Sequence, residues 1–233
     1  MSIVIGGIQT FTTIDYPGKL AAVFFCQGCA WQCPYCHNPE LQPPQKTRTS
    51  VPWETAVEFL QTRRGLLDAV VFSGGEPLMQ KDLKEAVKTV KEMGFLAGLH
   101  TSGMFAPRLR AVLPQIDWVG FDIKAPFDKY AQRIPLSNGE TVRDSLQAVV
   151  ESGVPFEART TLDPRTIGVD ELPVLARALS DMGVKTYAVQ EYHSFPEEKD
   201  PPDAGEIQKY FDKEYLNGIK TLFDEFIVRR TRL

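Results

Sequence analysis

Residues 20–36 read LAAVFFCQGCAWQCPYC and hold all four cysteines of the 233-residue chain. The apolar run at 20–25 predicts a buried strand that leads directly into a cysteine-rich loop. Within that loop, Cys29, Cys33 and Cys36 have the spacing C-x₃-C-x₂-C. Three thiolates can hold three irons of a [4Fe–4S] cube, whereas an ordinary electron-transfer cluster takes four. The spacing therefore predicts a cluster in which one iron stays open for another molecule.

Two other uses of the cysteines remain open, although they fit the spacing less well. A ribbon-type zinc site needs two C-x₂-C pairs that are usually about 15–20 residues apart, and only three residues separate Cys29 from Cys33. A redox C-x₂-C pair occurs twice, but neither pair opens a helix in a thioredoxin-like context. Cys26 belongs to no part of the cluster spacing, and we expect it to be a small buried or loop-facing residue.

After the loop, apolar strands alternate with amphipathic helices. Strands are predicted at 69–72, 95–99, 118–123, 156–160 and 186–190. Helices are predicted from a Ser50 cap to Gly65 and at 81–93, 108–112, 141–151, 170–182 and within 203–216. Such alternation indicates right-handed βαβ units. We expect one α/β domain over residues 1–233, a partial (β/α)₆ barrel with a parallel sheet and outer helices, two units short of a closed barrel.

Composition narrows the class of protein. With 43% hydrophobic and 24% charged residues, the chain can bury a sizeable core. A net charge of -4 gives no general attraction to nucleic acid. We find no charged-then-apolar leader and no apolar stretch long enough to span a bilayer, so we expect a cytoplasmic protein. In a reducing cytosol, clustered cysteines more often bind metal or act in catalysis than form disulfides.

A second group of chemically informative residues is SGGEP at 73–77, directly after a predicted strand. Adjacent glycines let a ligand approach the backbone closely, and the carboxylate beside them can receive a cationic amine. Alone, such a turn is as often a plain connector. In a parallel α/β protein, however, it lies at the carboxyl end of a strand, where ligands bind.

Together, the cysteine spacing and the SGGEP turn resemble the radical S-adenosylmethionine (SAM) enzymes. CPYCHNP at 33–39 resembles the Tyr-Cys-His-Asn signature of glycyl-radical enzyme activases. Among these, GGIQ at 6–9, TTIDYPGK at 12–19 and CQGC at 26–29 are similar to the activating proteins of anaerobic ribonucleoside-triphosphate reductases. The resemblance extends over essentially the whole chain, and its strongest motifs lie in the first 80 residues.

The resemblance implies a set of site residues. Cys29, Cys33 and Cys36 would hold the [4Fe–4S] cluster, whose open iron is chelated by the amino and carboxylate groups of SAM. The expected cofactor contacts are Tyr35, His37, Gly74, Gly75, Glu76, Thr101, Asp122, Lys124, Arg159 and His193. In the family, the tyrosine lies near the adenine and the lysine neutralises the methionine carboxylate.

Each of three downstream residues also has an ordinary structural reading. Without the resemblance, Lys124 would more often be a solvated lysine at a strand end, Arg159 a member of a surface ion pair and His193 a structural histidine. The basic end at 229–232 is expected to be a solvated tail.

The resemblance also implies an activity. A radical SAM oxidoreductase cleaves SAM reductively to methionine and a 5′-deoxyadenosyl radical, and an activase uses that radical to abstract the α-hydrogen of a glycine in a partner, here anaerobic ribonucleotide reductase. No cysteines remain for additional clusters, so electrons would come from flavodoxin or ferredoxin. The alternatives are a radical enzyme for a small molecule, similar to 7-carboxy-7-deazaguanine synthase, and a non-catalytic iron–sulfur protein.

One departure from the family concerns His100. In the activase for pyruvate formate-lyase, an aspartate followed by threonine helps to form a monovalent cation site, and here His100 precedes Thr101. The cation site is therefore in doubt. His100 could supply positive charge, supply hydrogen bonds, or simply pack.

Overall fold

The computed structural model describes residues 3–194, 198 and 200–230. The strands are β1 Ile5–Thr12, β2 Ala21–Cys26, β3 Ala69–Gly74, β4 Leu96–Thr101, β5 Trp118–Asp122, β6 Phe156–Leu162, β7 Thr186–Glu191 and β8 Glu225–Arg229. The α-helices are α1 Trp53–Gln61, α2 Leu83–Glu92, α3 Ala106–Val112, α4 Tyr130–Arg133, α5 Gly139–Ser152, α6 Leu172–Asp181, α7 Ala204–Lys209 and α8 Lys213–Lys220. Short 3₁₀ helices lie at Pro39–Leu41, Pro77–Met79, Leu113–Gln115, Phe127–Lys129 and Val169–Glu171.

All eight strands form one sheet whose spatial order is the order of the chain. β1 runs antiparallel to β2, and β2 to β8 are mutually parallel neighbours. The two edge strands, β1 and β8, are not paired with each other within the described residues. The α/β class, the parallel sheet and the partial barrel are therefore confirmed, with β2 to β7 forming the predicted strands.

The buried strands have different partners on their two faces. Val70 and Phe72 of β3 pack with the helices in the main core, while Ala69 and Val71 of the same strand join a smaller cluster. Tyr16, from the β1–β2 connection, belongs to that smaller cluster. Because both faces are buried, these strands have continuous apolar runs, which is why the sequence reveals them.

The edge strands were not predicted. β1 reads IGGIQTFT and is largely half-buried or exposed, and β8 reads EFIVR with no fully buried residue. Half-exposed edges have little need for a continuous apolar run, so the hydrophobic pattern that reveals the inner strands is weak here.

Three glycines that were predicted to end helices do so, whereas the predicted Ser50 cap does not form. Gly94, Gly153 and Gly183 follow α2, α5 and α6 with positive φ, a conformation that favours glycine. The Ser50 cap is wrong, because α1 begins after Pro52 while the Ser50 hydroxyl accepts a hydrogen bond from the Thr47 amide at 2.8 Å. The residue before a proline is biased away from helical geometry, which delays the helix start.

The last predicted helix is in fact two helices. Asp212 caps α8 through the amide of Tyr215, and this second start divides the segment. Within the described ranges, we find no helix that is both long and apolar enough to cross a bilayer.

Arg229 holds β8 to the sheet. Its two terminal nitrogens donate to the two carboxylate oxygens of Glu157 on β6, both at 2.7 Å, and one also donates to Gln190 on β7 at 3.2 Å. The Glu157 side chain is only 3% exposed. The expected solvated tail is therefore wrong for Arg229 and for Arg230, which pairs with Glu191 at 3.2 Å; residues 231 and 232 lie outside the described residues.

We predict that Arg229→Met lowers the free energy of unfolding by about 2–3 kcal/mol, because it leaves the buried Glu157 carboxylate without its charged donor. Urea unfolding followed by circular dichroism measures the change. Arg230→Met is the matched control: its pair with Glu191 is more exposed, so we expect a loss under about 1 kcal/mol. Equal losses in the two variants would contradict this account of β8.

Candidate functional site

A cavity of about 1000 Å³ opens at the carboxyl ends of the parallel strands. Its wall contains all thirteen residues selected from the sequence: Cys29, Cys33, Tyr35, Cys36, His37, Gly74, Gly75, Glu76, Thr101, Asp122, Lys124, Arg159 and His193. The cavity thus brings together residues as distant in the chain as Cys29 and His193, which are 164 positions apart.

The cysteine loop enters the cavity wall from the end of β2. Its two arms are joined by backbone hydrogen bonds from the Gly28 amide to Leu41 O at 2.7 Å and from the Cys29 amide to Gln42 O at 2.9 Å. The thiols of Cys29, Cys33 and Cys36 are half-buried and form no disulfide. Cys26 is fully buried at the strand end, as predicted.

The loop offers three thiols as metal donors. Among the residues that the structure describes, no three His, Cys, Asp or Glu side chains form a ligand group for a single metal ion. Three thiols from one short loop are the donor set that a [4Fe–4S] cube with one open iron requires, so the chemistry of these residues fits a cluster. Burial and the charge of Glu76 raise the pKa of Cys29 to about 12, and burial also raises the pKa of Cys33, so metal binding would have to displace their protons.

The glycines of the SGGEP turn lie against the cysteine loop. The Gly75 amide donates to Cys26 O at 2.9 Å, and the Glu76 amide donates to Gly28 O at 2.8 Å. A Cβ on Gly74, whose φ is +105°, would lie 2.5 Å from the Cys26 nitrogen, and one on Gly75 would lie 2.4 Å from Gly28 O. The sequence suggested close approach by a ligand, but in the structure the close neighbour is the loop backbone.

Glu76 ties the SGGEP turn to the end of β4. Its buried carboxylate accepts hydrogen bonds from the Thr101 hydroxyl at 2.6 Å and from the amide and hydroxyl of Ser102 at 2.9 and 2.5 Å. Burial raises the pKa of Glu76, although these hydrogen bonds oppose the shift. All of these donors come from the chain itself, and the expected contact of this turn with an amine stays a prediction.

Asp122, Lys124 and Arg159 form a charge cluster. Arg159 Nε donates to Asp122 Oδ1 at 2.8 Å, and Lys124 Nζ lies 3.4 Å from Asp122 Oδ2. Burial alone would raise the pKa of Asp122, but the charges of Arg159 and Lys124 lower it to about 2. Burial alone would likewise lower the pKa of Lys124, but neighbouring groups such as Tyr35 and Asp122 keep it well above its usual value. Two cations thus share one carboxylate, which leaves one positive charge uncompensated.

His100 is neutral and acts through hydrogen bonds. Its Nε2 lies 2.8 Å from Asp15 O, which can only accept, and 3.3 Å from Arg159 Nη1, which can only donate; on the shorter of the two contacts we assign the proton to Nε2. Nδ1 is then free to accept from the Ser73 hydroxyl at 3.3 Å. Burial and the charge of Arg159 lower the pKa of His100 to about 3, so the histidine does not supply the positive charge considered from the sequence.

Tyr35, His37 and His193 line the same cavity. Lys124 Nζ lies 5.7 Å from the centre of the buried Tyr35 ring. Burial and the nearby His193 lower the pKa of His37. His193, which follows β7, therefore lies near His37, which follows the cysteine loop.

Residues 23–189, more than half of the chain, match the family described as the radical SAM superfamily. The chain belongs to this superfamily. As a radical SAM protein it uses the two cofactors of that family, a [4Fe–4S] cluster and S-adenosylmethionine.

Two relatives of this radical SAM protein are similar over most of their length. A Methanocaldococcus jannaschii protein, itself named only provisionally as a glycyl-radical enzyme activating enzyme, is 30% identical over 96% of this chain and 100% of its own length. The pyruvate formate-lyase-activating enzyme of Clostridium pasteurianum is 29% identical over 82% of each chain.

Among solved structures, SuiB of Streptococcus suis bound to S-adenosylmethionine superimposes with a TM-score of 0.70 at 12% identity. The match covers 90% of the radical SAM protein and half of the SuiB chain, and at this identity the likeness is one of fold.

Part of the cavity wall of the radical SAM protein was missed from the sequence. Ile14, Asp15, Glu157, Arg229 and Arg230 all line it. Ile14 and Asp15 lie in the TTIDYPGK motif, which carried the family resemblance but gave no hint of its position. The two arginines lie in and after the edge strand β8, so finding them required the unpredicted strand.

The neutrality of His100 predicts a pH dependence of stability for this radical SAM protein. The pKa of His100 is about 3 in the folded protein, and its ordinary value is 6.5. Between pH 3 and pH 6.5, His100 is therefore protonated in the unfolded chain but not in the folded protein. Stability present above pH 6.5 is therefore lost as the pH falls toward 3, at up to about 1.4 kcal/mol per pH unit from this residue.

His100→Gln keeps a donor for Asp15 O but cannot titrate. We expect its free energy of unfolding to fall less steeply than that of the wild type between about pH 6 and pH 4, as measured by urea titrations at each pH. Identical slopes would show that His100 does not set this dependence.

Proposed function

We propose that the protein is a glycyl-radical enzyme activating enzyme. The observation that carries the proposal is the charge pattern of the cavity: one surplus positive charge lies beside the cysteine loop, and the cations further along the wall are paired. This pattern suits one carboxylate-bearing cofactor together with an uncharged substrate group such as the glycine of a polypeptide.

Under this proposal, Cys29, Cys33 and Cys36 bind the cluster. The surplus charge shared by Lys124 and Arg159, whose side chains are 17% and 12% exposed, receives the methionine carboxylate of SAM, since a largely buried charge is stabilised by an ionic partner. The remaining cofactor contacts would come from Tyr35, His37, Gly74, Gly75, Glu76, Thr101, Asp122 and His193. When bound, the cluster and SAM supply a reducing electron and a 5′-deoxyadenosyl radical that abstracts hydrogen.

The residues of the chain hold and orient the cofactors. The cysteine loop and the SGGEP turn are fixed against each other through backbone hydrogen bonds. They therefore lose little conformational freedom when the cofactors bind. The pairing of Asp122 with two cations keeps its carboxylate ionised over the physiological pH range.

Charge pairing favours a polypeptide glycine over an anionic small molecule. Arg229 is bound by Glu157 and Arg230 by Glu191, so neither arginine offers an unpaired charge to a carboxylated substrate. The small-molecule alternative would act on a pterin-like nucleobase precursor, and a carboxylate on such a substrate would have to compete with these ion pairs.

The open side of the barrel supports the same reading. Ile14 and Val228 lie on the cavity wall at its two edges, with 82% and 38% of their surface exposed. β1 and β8 are not paired with each other within the described residues. A gap between two edge strands can admit a polypeptide loop, whereas a closed barrel favours small molecules.

The proposal also specifies the partner enzyme. We propose anaerobic ribonucleotide reductase, on the strength of the GGIQ, TTIDYPGK and CQGC motifs. The electron donor would be flavodoxin or ferredoxin, because the chain has no cysteines for a second cluster. A cytoplasmic location belongs to the same proposal.

Anaerobic reconstitution with iron and sulfide tests the radical chemistry. With SAM and dithionite, we expect the wild type to form 5′-deoxyadenosine, measured by liquid chromatography, and Cys33→Ala to form none. Cys26→Ala is the matched control: it removes a cysteine of the same segment that is not a proposed ligand, so product should persist. A fully loaded wild type without product would favour the non-catalytic reading.

A labelled partner tests the substrate class. Anaerobic ribonucleotide reductase carrying α-deuterated glycine should pass deuterium into 5′-deoxyadenosine and acquire a glycyl radical signal in electron paramagnetic resonance. The same partner with its target glycine replaced by alanine should give neither result. Deuterium transfer from a labelled carboxylated pterin, but not from the partner, would support the small-molecule alternative.

A further inference from the structure

Gln27 lies at the start of the cysteine loop and contacts the arm by which the loop returns. The residue is 1% exposed and lies two positions before Cys29. Its side-chain nitrogen donates to Glu40 O at 2.9 Å and to Pro43 O at 2.7 Å. One buried amide thus links the start of the loop to its return arm, with all three proposed cluster ligands between them.

The orientation of this amide follows from its partners. Two carbonyl oxygens can be bridged only by a donor, so the NH₂ group and not the oxygen faces Glu40 and Pro43. Both hydrogens of the NH₂ group are then used. A glutamate of the same size would offer no donor to either carbonyl, and an asparagine would be one methylene too short.

The backbone of Gln27 is fixed as well. Its amide donates to Val4 O at 2.8 Å, and its carbonyl accepts from the Gln80 side chain at 2.5 Å. Gln80 Oε1 in turn accepts from the Val4 amide at 2.9 Å. The side chain of Gln27 is therefore held on a rigid base made by β1, the end of β2 and the segment after the SGGEP turn.

The packing of Gly6 provides a second observation. A Cβ at Gly6 would lie 2.7 Å from Gln27 Oε1 and 2.3 Å from a methyl carbon of Leu41. A glycine at this place in β1 leaves room for the Gln27 amide and for the return arm of the loop. Gly6 of the GGIQ motif and Gln27 of the CQGC motif, to which the catalytic assignment gave no role, thus meet at one contact.

We propose that Gln27 is a positioning residue for the cluster, which closes the cysteine loop before any iron is bound. The loop is then closed by four hydrogen bonds, two from the Gln27 side chain and two between backbone groups of Gly28, Cys29, Leu41 and Gln42. Groups that orient metal ligands without touching the metal commonly change metal affinity by about 10–100-fold. This inference rests on the assignment of the cluster to Cys29, Cys33 and Cys36.

The test uses Gln27→Glu, which removes both donors, and Gln27→Met, which removes them without adding charge and guards against a folding defect. After anaerobic reconstitution, we expect iron to pass to a chelator about 10–100-fold faster from either variant than from the wild type. Loss of the cluster absorption band follows the transfer. In the apo proteins, hydrogen exchange at the Gly28 and Cys29 amides should be faster in the variants.

Tyr187→Phe is the matched control, because it removes a buried side-chain hydrogen bond to Thr160, at 2.8 Å, away from the cysteine loop. It should change neither iron transfer nor exchange at Gly28 and Cys29. Wild-type behaviour of folded Gln27→Met in both measurements would overturn the proposal, as would equal effects of Tyr187→Phe. Failure of the wild type to bind iron through its cysteines would instead overturn the cluster assignment, while exchange in the apo proteins would still decide the role of Gln27.

Discussion

The close contact between two backbone turns is the constraint on which the site depends. The cysteine loop and the SGGEP turn follow adjacent parallel strands, β2 and β3, and their amides and carbonyls meet directly at Cys26, Gly28, Gly75 and Glu76. No side chain could be inserted at Gly74 or Gly75 without displacing the loop. The same contact presents the thiols and the turn to one cavity, so the folding requirement and the proposed chemistry select the same glycines.

Charge is the second organising factor of the cavity. Asp122, Glu157 and Glu191 each contact an arginine, and only the group around Asp122 has more cations than anions. His100, between Asp15 and Ser73, stays neutral because burial and the neighbouring charge of Arg159 both disfavour its protonation. The surplus positive charge is thus confined to the group around Asp122, whereas the carboxyl groups of Asp15 and Glu76 on the same wall accept hydrogen bonds from uncharged donors.

The parts of the molecule that could be predicted are those encoded locally. The inner strands show apolar runs because both faces are buried, and the cysteine spacing and SGGEP turn are short motifs. Contacts between distant residues had no such signal. Asp15 and His100 are 85 positions apart, and Glu157 and Arg229 are 72 apart. The hydrogen bonds of Glu76 were not predicted either, since a carboxylate beside two glycines does not indicate that Thr101 and Ser102 will donate to it.

The order of strands in the sheet has a consequence for how the protein is made. Because each strand pairs with its neighbour in the chain, the sheet can grow one unit at a time from the amino terminus as the polypeptide leaves the ribosome. β8 is the final strand in this order, and Arg229 can reach Glu157 only after it emerges. Until then, β1 to β7 and the cysteine loop can assemble while the part of the cavity wall contributed by β8 is still missing, which leaves the cavity open from that side.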